Sequence, residues 1–98
     1  MKKLGLLATL KAKSGKENEV ATFLKAAVEL AKTEEKTLTW YSFQIDKNTF
    51  GIMDTFETED GRNAHLNGEI AKNLMANAST LLSEEPIIQK IDILSSKL

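Results

Sequence analysis

Between Thr37 and Phe56 lie two runs of alternating side chains, separated only by Asp46-Lys47-Asn48. In the first run Leu38, Trp40, Ser42 and Gln44 fall on one side and Thr39, Tyr41, Phe43 and Ile45 on the other. The second run places Phe50, Ile52, Asp54 and Phe56 opposite Gly51, Met53 and Thr55. Period-two patterning in aromatic and β-branched residues, broken by a short polar turn, predicts an antiparallel hairpin. The sequence on either side of it changes period. Val20, Phe23, Leu24, Ala27, Leu30 and Ala31 recur at three- and four-residue spacing, as do Ile70, Ala71, Leu74, Met75, Ala78, Leu81 and Leu82. Each set is one apolar stripe of an amphipathic helix. A central hairpin with a helix before and after it constrains the fold more than any other feature.

The ends complete the pattern. Leu4 to Ala12 reads as a strand with apolar residues on both faces, and Ile87 to Leu94 as a last strand behind Pro86. Ser14-Gly15-Lys16-Glu17 has the spacing of a capping box, with Ser14 as the cap of the first helix. Thr58 caps a short helix whose first turn holds Glu59 and Asp60, and Asn67-Gly68 separates it from the helix over Glu69 to about Leu82. Thr33-Glu34-Glu35-Lys36 reads as the exit loop of the first helix. The order is β-α-β-β-α-β with an added short helix, an α+β, ferredoxin-like arrangement of four antiparallel strands with both long helices on one face. Strands one, two and four carry apolar residues on both sides, so the uncovered face is expected to pack on a second copy as a C2 homodimer.

A chain of 98 residues makes a single domain, residues 1–98, with a limited core. A net charge of −1 and a pI near 5.8, with lysines spread along the chain, give no electrostatic footprint for nucleic acid or an anionic membrane. Without cysteine there is no disulfide, thiolate nucleophile or Cys-based metal site, which fits a reducing cytoplasm, and one histidine rules out a multi-histidine metal site within one chain. Met1-Lys2-Lys3 followed by Leu4–Leu10 has the outline of a secretory signal. Its apolar run is short, however, and Lys11 and Lys13 occupy the place of a cleavage site, so a first strand is the better reading. No stretch approaches the ~20 apolar residues of a membrane-spanning helix.

The chemistry concentrates in Asp60–Asn67, which holds the one arginine, Arg62, and the one histidine, His65, three positions apart on a helical turn. His65 is the side chain that titrates near neutral pH. Asp54 is the odd carboxylate on an otherwise apolar strand face. It must find a hydrogen-bond partner, border a wet cavity, raise its pKa, or reach solvent at a fraying sheet edge. Structural roles compete with functional ones: His65 as a bridge from helix to sheet, Arg62 as a solvated partner of Glu59 or Asp60, Asn67 as a helix terminator, Trp40 and Tyr41 as core.

The chain resembles the antibiotic biosynthesis monooxygenase superfamily of dimeric α/β-barrel proteins, which includes quinol monooxygenases. The similarity runs along the opening strand into Ser14-Gly15-Lys16-Glu17, Thr37-Leu38-Thr39-Trp40-Tyr41 and Asp54-Thr55-Phe56. It is strongest in Ala64-His65-Leu66-Asn67-Gly68, Leu74-Met75-Ala76-Asn77-Ala78 and Glu85-Pro86-Ile87-Ile88. The resemblance implies oxidation of a small phenol, quinol or polyketide-like aromatic by O2 without flavin, haem or metal. Under it His65 is the catalytic base, Arg62 stabilises an anionic substrate, Asn67 donates a hydrogen bond, and Trp40, Tyr41, Phe43 and Asp54 are the candidates for the substrate cavity, although alternation keeps Trp40 and Tyr41 from both facing it. A related haem-degrading branch has a tryptophan where His65 stands, a histidine near Met75 and an asparagine near Ala8, none of which is present here, and Met75 itself reads as core packing. Two other functions remain compatible with the scaffold: a non-catalytic, dimeric module that binds small hydrophobic ligands or serves a stress response, and an oxygen-independent proton-transfer enzyme.

Overall fold

A computed structural model describes residues 3–97; Met1, Lys2 and Leu98 lie outside the described residues, so the first two positions of the signal-like segment do too. The elements follow the expected order: β1 (Leu4–Lys11), α1 (Glu17–Ala31), β2 (Thr37–Asp46), β3 (Thr49–Phe56), α2 (Glu59–Leu66), α3 (Glu69–Leu81) and β4 (Ile87–Asp92). The strands form one antiparallel sheet in the order β2-β3-β1-β4, the ferredoxin-like arrangement. The signal-like segment is β1, a central strand paired on both sides.

Register decides which side chains share a face. Trp40 pairs with Asp54, Asp54 with Leu6, and Ile52 with Ala8, so these residues stand on the helix-covered side. The core between sheet and helices contains Leu10, Phe50 and Ile52 from the sheet, Val20 and Leu24 from α1, and Leu74 from α3. Ala27, Ala31 and Ile70 form a second cluster, and Trp40 packs against both. The α1 stripe is buried at Val20, Leu24, Ala27 and Ala31, as its period predicts. The opposite sheet face leaves Tyr41, Ile45 and Ile87 exposed, 59%, 64% and 50% respectively, with Phe43 at 37%.

Three local expectations are revised. Ser14 is not the cap of α1. Gly15 adopts φ +87°, Lys16 becomes the N-cap without a side-chain cap bond, and Glu17 Oε1 instead accepts from Gly15 N at 2.9 Å. A left-handed residue at position 15 delays the helix and moves Ser14 out of reach of its first free N–H groups. Met75 is 51% exposed rather than core, because α3 turns its buried stripe through Ile70 and Leu74. The last strand ends at Asp92, with Ile93 N donating to Lys3 O, and Leu94 is exposed.

Candidate functional site

The site forms where α2 meets the sheet. Thr58 begins the helix as expected, its side chain accepting from Gly61 N at 3.1 Å, and Glu59 and Asp60 lie in the positive first turn. Gly61 allows close approach to the loop after α1, since a Cβ there would stand 3.1 Å from Lys36 Cβ and 3.2 Å from Lys36 O. One turn later, at the negative C-terminal end, the helix presents His65 inward.

Both ring nitrogens of His65 are engaged. Nε2 lies 2.7 Å from Asp54 Oδ2, and Nδ1 lies 2.6 Å from Glu34 Oε1. An ionised carboxylate only accepts, so between two ionised carboxylates the imidazole donates from both nitrogens and carries a positive charge. Burial pulls the His65 pKa down, but the hydrogen bonds and charges of Asp54 and then Glu34 outweigh it, and the result lies above the ordinary histidine value. The ring also packs on fully buried Phe56, with centroids 5.4 Å apart. Glu34 is held by the chain around it. Its Oε1 accepts from Thr37 Oγ1 at 2.7 Å, and Gly68 leaves room for Oε2, which would lie 3.2 Å from a Cβ at that position.

His65 therefore separates two recesses. On the Glu34 side is an open groove of about 350 Å³ bordered by Glu34, Lys36, Thr37, Gly61, Ala64 and Glu69. On the Asp54 side is a small pocket of about 40 Å³ walled by Leu6, Ala8, Ile52, Leu66, Ile70 and Ile88, with Asp54 and His65 as its ionisable lining. Asp54 is 1% exposed, and its Oδ1 has no hydrogen-bond partner. The other buried side-chain atom without a partner among the described residues is Trp40 Nε1, on the residue paired with Asp54.

The residues singled out in the sequence are thus only partly brought together. His65 and Asp54 meet, and Asp54 is neither at a fraying edge nor solvated. Trp40 lies on their side of the sheet, whereas Tyr41 and Phe43 point to the opposite face. Arg62 is buried but faces away from the pocket: Nη2 pairs with Glu59 Oε2 at 2.7 Å, while Nη1 donates to Gly5 O at 3.3 Å and Ile91 O at 3.4 Å. It ties α2 to β1 and β4, and its hydrogen bond to Glu59, supported by its charge, holds that exposed carboxyl below its usual range. Asn67 is the exposed C-cap of α2, its side chain donating to Asn63 O. Glu34 is the site residue that sequence reasoning missed. The described residues contain no cluster of three or more ligating side chains fit to hold a metal ion.

No family model matches the chain, and no curated protein matches it in sequence. Solved structures do. One is an antibiotic biosynthesis monooxygenase, with a TM-score of 0.80 at 16% identity over 94% of this chain and 99% of that one. A Pseudomonas aeruginosa protein superposes with a TM-score of 0.83 at 22% identity over 97% of each chain. The fold is that of the antibiotic biosynthesis monooxygenases. A protein of unknown function from Nitrosomonas europaea is far closer, 49% identical over 100% of this chain and 95% of its own, with a TM-score of 0.97. The chain belongs to the same family as that Nitrosomonas protein.

Proposed function

We propose that this protein is a cofactor-independent monooxygenase that oxidises a small phenol, hydroquinone or polyketide-like aromatic with O2. The observation that carries the reading is a buried carboxylate–imidazolium pair lining an apolar pocket, in a fold shared with antibiotic biosynthesis monooxygenases. A deprotonated hydroquinone is its own reductant. One oxygen atom enters the ring, the other leaves as water, and the substrate supplies every electron and hydrogen the balance requires. The protein then has to accept a proton, return it to the peroxide oxygen, and keep bulk water away. The Asp54 carboxylate, held by His65, provides the proton acceptor, and the aliphatic walls provide the exclusion.

The reading includes a homodimer in the cytoplasm. Tyr41, Phe43, Ile45 and Ile87 form an apolar surface on the open sheet face, and a second copy covers it by sheet-to-sheet packing. None of the described helices is long and apolar enough to cross a membrane.

Oxygen uptake with a panel of hydroquinones and phenols tests the proposal. Uptake is expected with at least one of them, with a large loss in His65→Gln. Turnover that continues without oxygen contradicts it. A second reading, a binding module without turnover, draws on the pocket's aliphatic lining, which suits a small hydrophobic ligand whether or not it reacts. Ligand binding with no turnover across the panel decides for that reading.

A further inference from the structure

The pocket places a different residue from His65 at the reacting atoms. A general base needs a free lone pair within reach of the proton it removes. His65 has none to offer, since both ring nitrogens are committed to carboxylates at 2.6 and 2.7 Å. Asp54 does. Its Oδ2 accepts from His65, while Oδ1 is buried, unpartnered and part of a side chain that lines the pocket. An orphaned carboxylate oxygen with apolar neighbours is costly to maintain, and a ligand donor placed against it recovers that cost.

We infer that Asp54 Oδ1 is the atom that docks the ligand's hydroxyl and takes its proton, with His65 as a positioning residue and Glu34 as the anchor that holds the imidazolium in place. The inference rests on the reading of this pocket as the substrate site. In the step itself the ligand O–H bond breaks, the proton goes to Oδ1, and the electron pair stays on the ligand oxygen as phenolate. The imidazolium remains a donor to Oδ2 throughout, so it fixes the carboxylate's orientation without giving up a proton.

The same geometry defines the ligand class. Apart from Asp54 and His65 the lining is aliphatic, from Leu6 and Ala8 on β1 to Ile70 and Leu74 on α3, and no cationic group other than His65, already doubly paired, is in it. An anionic ligand would meet Asp54 with no counter-charge, and a ligand lacking a donor would leave Oδ1 orphaned. A neutral hydroxyl on an apolar body satisfies both conditions. Ile88, 44% exposed on the edge strand β4, and half-buried Leu66 are the walls with room to give way to a ring.

The test is the affinity of the full chain for phenol and for anisole, which differ in the donor hydrogen, read from amide shifts around the pocket. Phenol is expected to bind about tenfold or more tightly, the ratio that one hydrogen bond to a charged group supports. In Asp54→Asn the amide keeps its oxygen toward His65 and turns NH2 to the pocket, so the preference for phenol disappears. Equal affinities in the natural protein, binding of neither probe, or a preference that survives Asp54→Asn overturns the inference. The comparison in the natural protein needs no variant and stands if Asp54→Asn fails to fold. Failure of the monooxygenase reading looks different: phenol is preferred through Asp54, yet no hydroquinone consumes oxygen.

Discussion

Removing the imidazole from His65 isolates a charge. Asp54 is 1% exposed, and among the described residues its one ionic partner is His65 Nε2 at 2.7 Å, so His65→Ala leaves a carboxylate in an apolar layer with nothing to offset it. Breaking a buried ion pair from one side costs about 3–5 kcal/mol. The lost contact with Phe56 adds to this. Domains of this size are stable by only about 5–15 kcal/mol, so the substitution removes a large part of the total. At about 4–8 °C per kcal/mol, the melting temperature falls by at least about 12 °C. Asp54→Asn is milder, because it neutralises the charge and keeps the shape. The diagnostic is the double variant. Placed in the His65→Ala background, Asp54→Asn is expected to restore stability, since it removes the stranded charge. Urea unfolding of the two single variants and the double gives the coupling directly. A His65→Ala cost below about 1 kcal/mol, or a coupling within the ~0.5 kcal/mol scatter of independent sites, refutes the reasoning.

The pH dependence has a fixed sign. Because the folded pKa of His65 is raised by its two carboxylates, the stability it contributes is fully present below about pH 6.5, the unfolded value, and is lost as pH rises through the folded pKa. Urea midpoints measured upward from pH 6 should decline, and the decline should be absent in His65→Gln. Arg62→Lys is expected to destabilise by about 2 kcal/mol or more in thermal unfolding, since an ammonium cannot serve Gly5 O, Ile91 O and Glu59 together. Replacing Tyr41 and Phe43 by Glu should convert a dimer to monomer in sedimentation with little change in the pocket, because both side chains lie on the opposite sheet face. An unchanged sedimentation coefficient removes the open face as the interface.

Periodicity made the order of elements legible, since each stripe or alternation has only one face to bury. The site was legible where composition was odd. His65 stood out as the one histidine, and Asp54 as a carboxylate among Phe50, Ile52 and Phe56. That these two residues meet follows from helix α2 crossing the end of β3, a packing relation no local spacing encodes. Glu34 was hidden for the same reason. It lies 31 positions from His65 in a stretch that reads only as the exit loop of the first helix, and the hydrogen bond from Thr37 that holds its carboxylate is not a sequence pattern. Arg62 illustrates the converse. Its pairing with Glu59 follows from their spacing, but its burial against the backbone carbonyls of Gly5 and Ile91, on paired strands, leaves no mark in a sequence. The Ser14 capping box failed through the conformation of one residue, Gly15.

The central claim is that His65 is a doubly donating cation and Asp54 the group that faces the pocket. With a single histidine in the chain, nitrogen NMR of the imidazole reports on it without assignment ambiguity. At pH 7 both ring nitrogens should be protonated, each with a hydrogen protected from exchange, and the ring should lose its proton above the ordinary histidine value. A neutral ring at pH 7, with one nitrogen bare and titrating near 6.5, contradicts the claim and returns the role of base to His65.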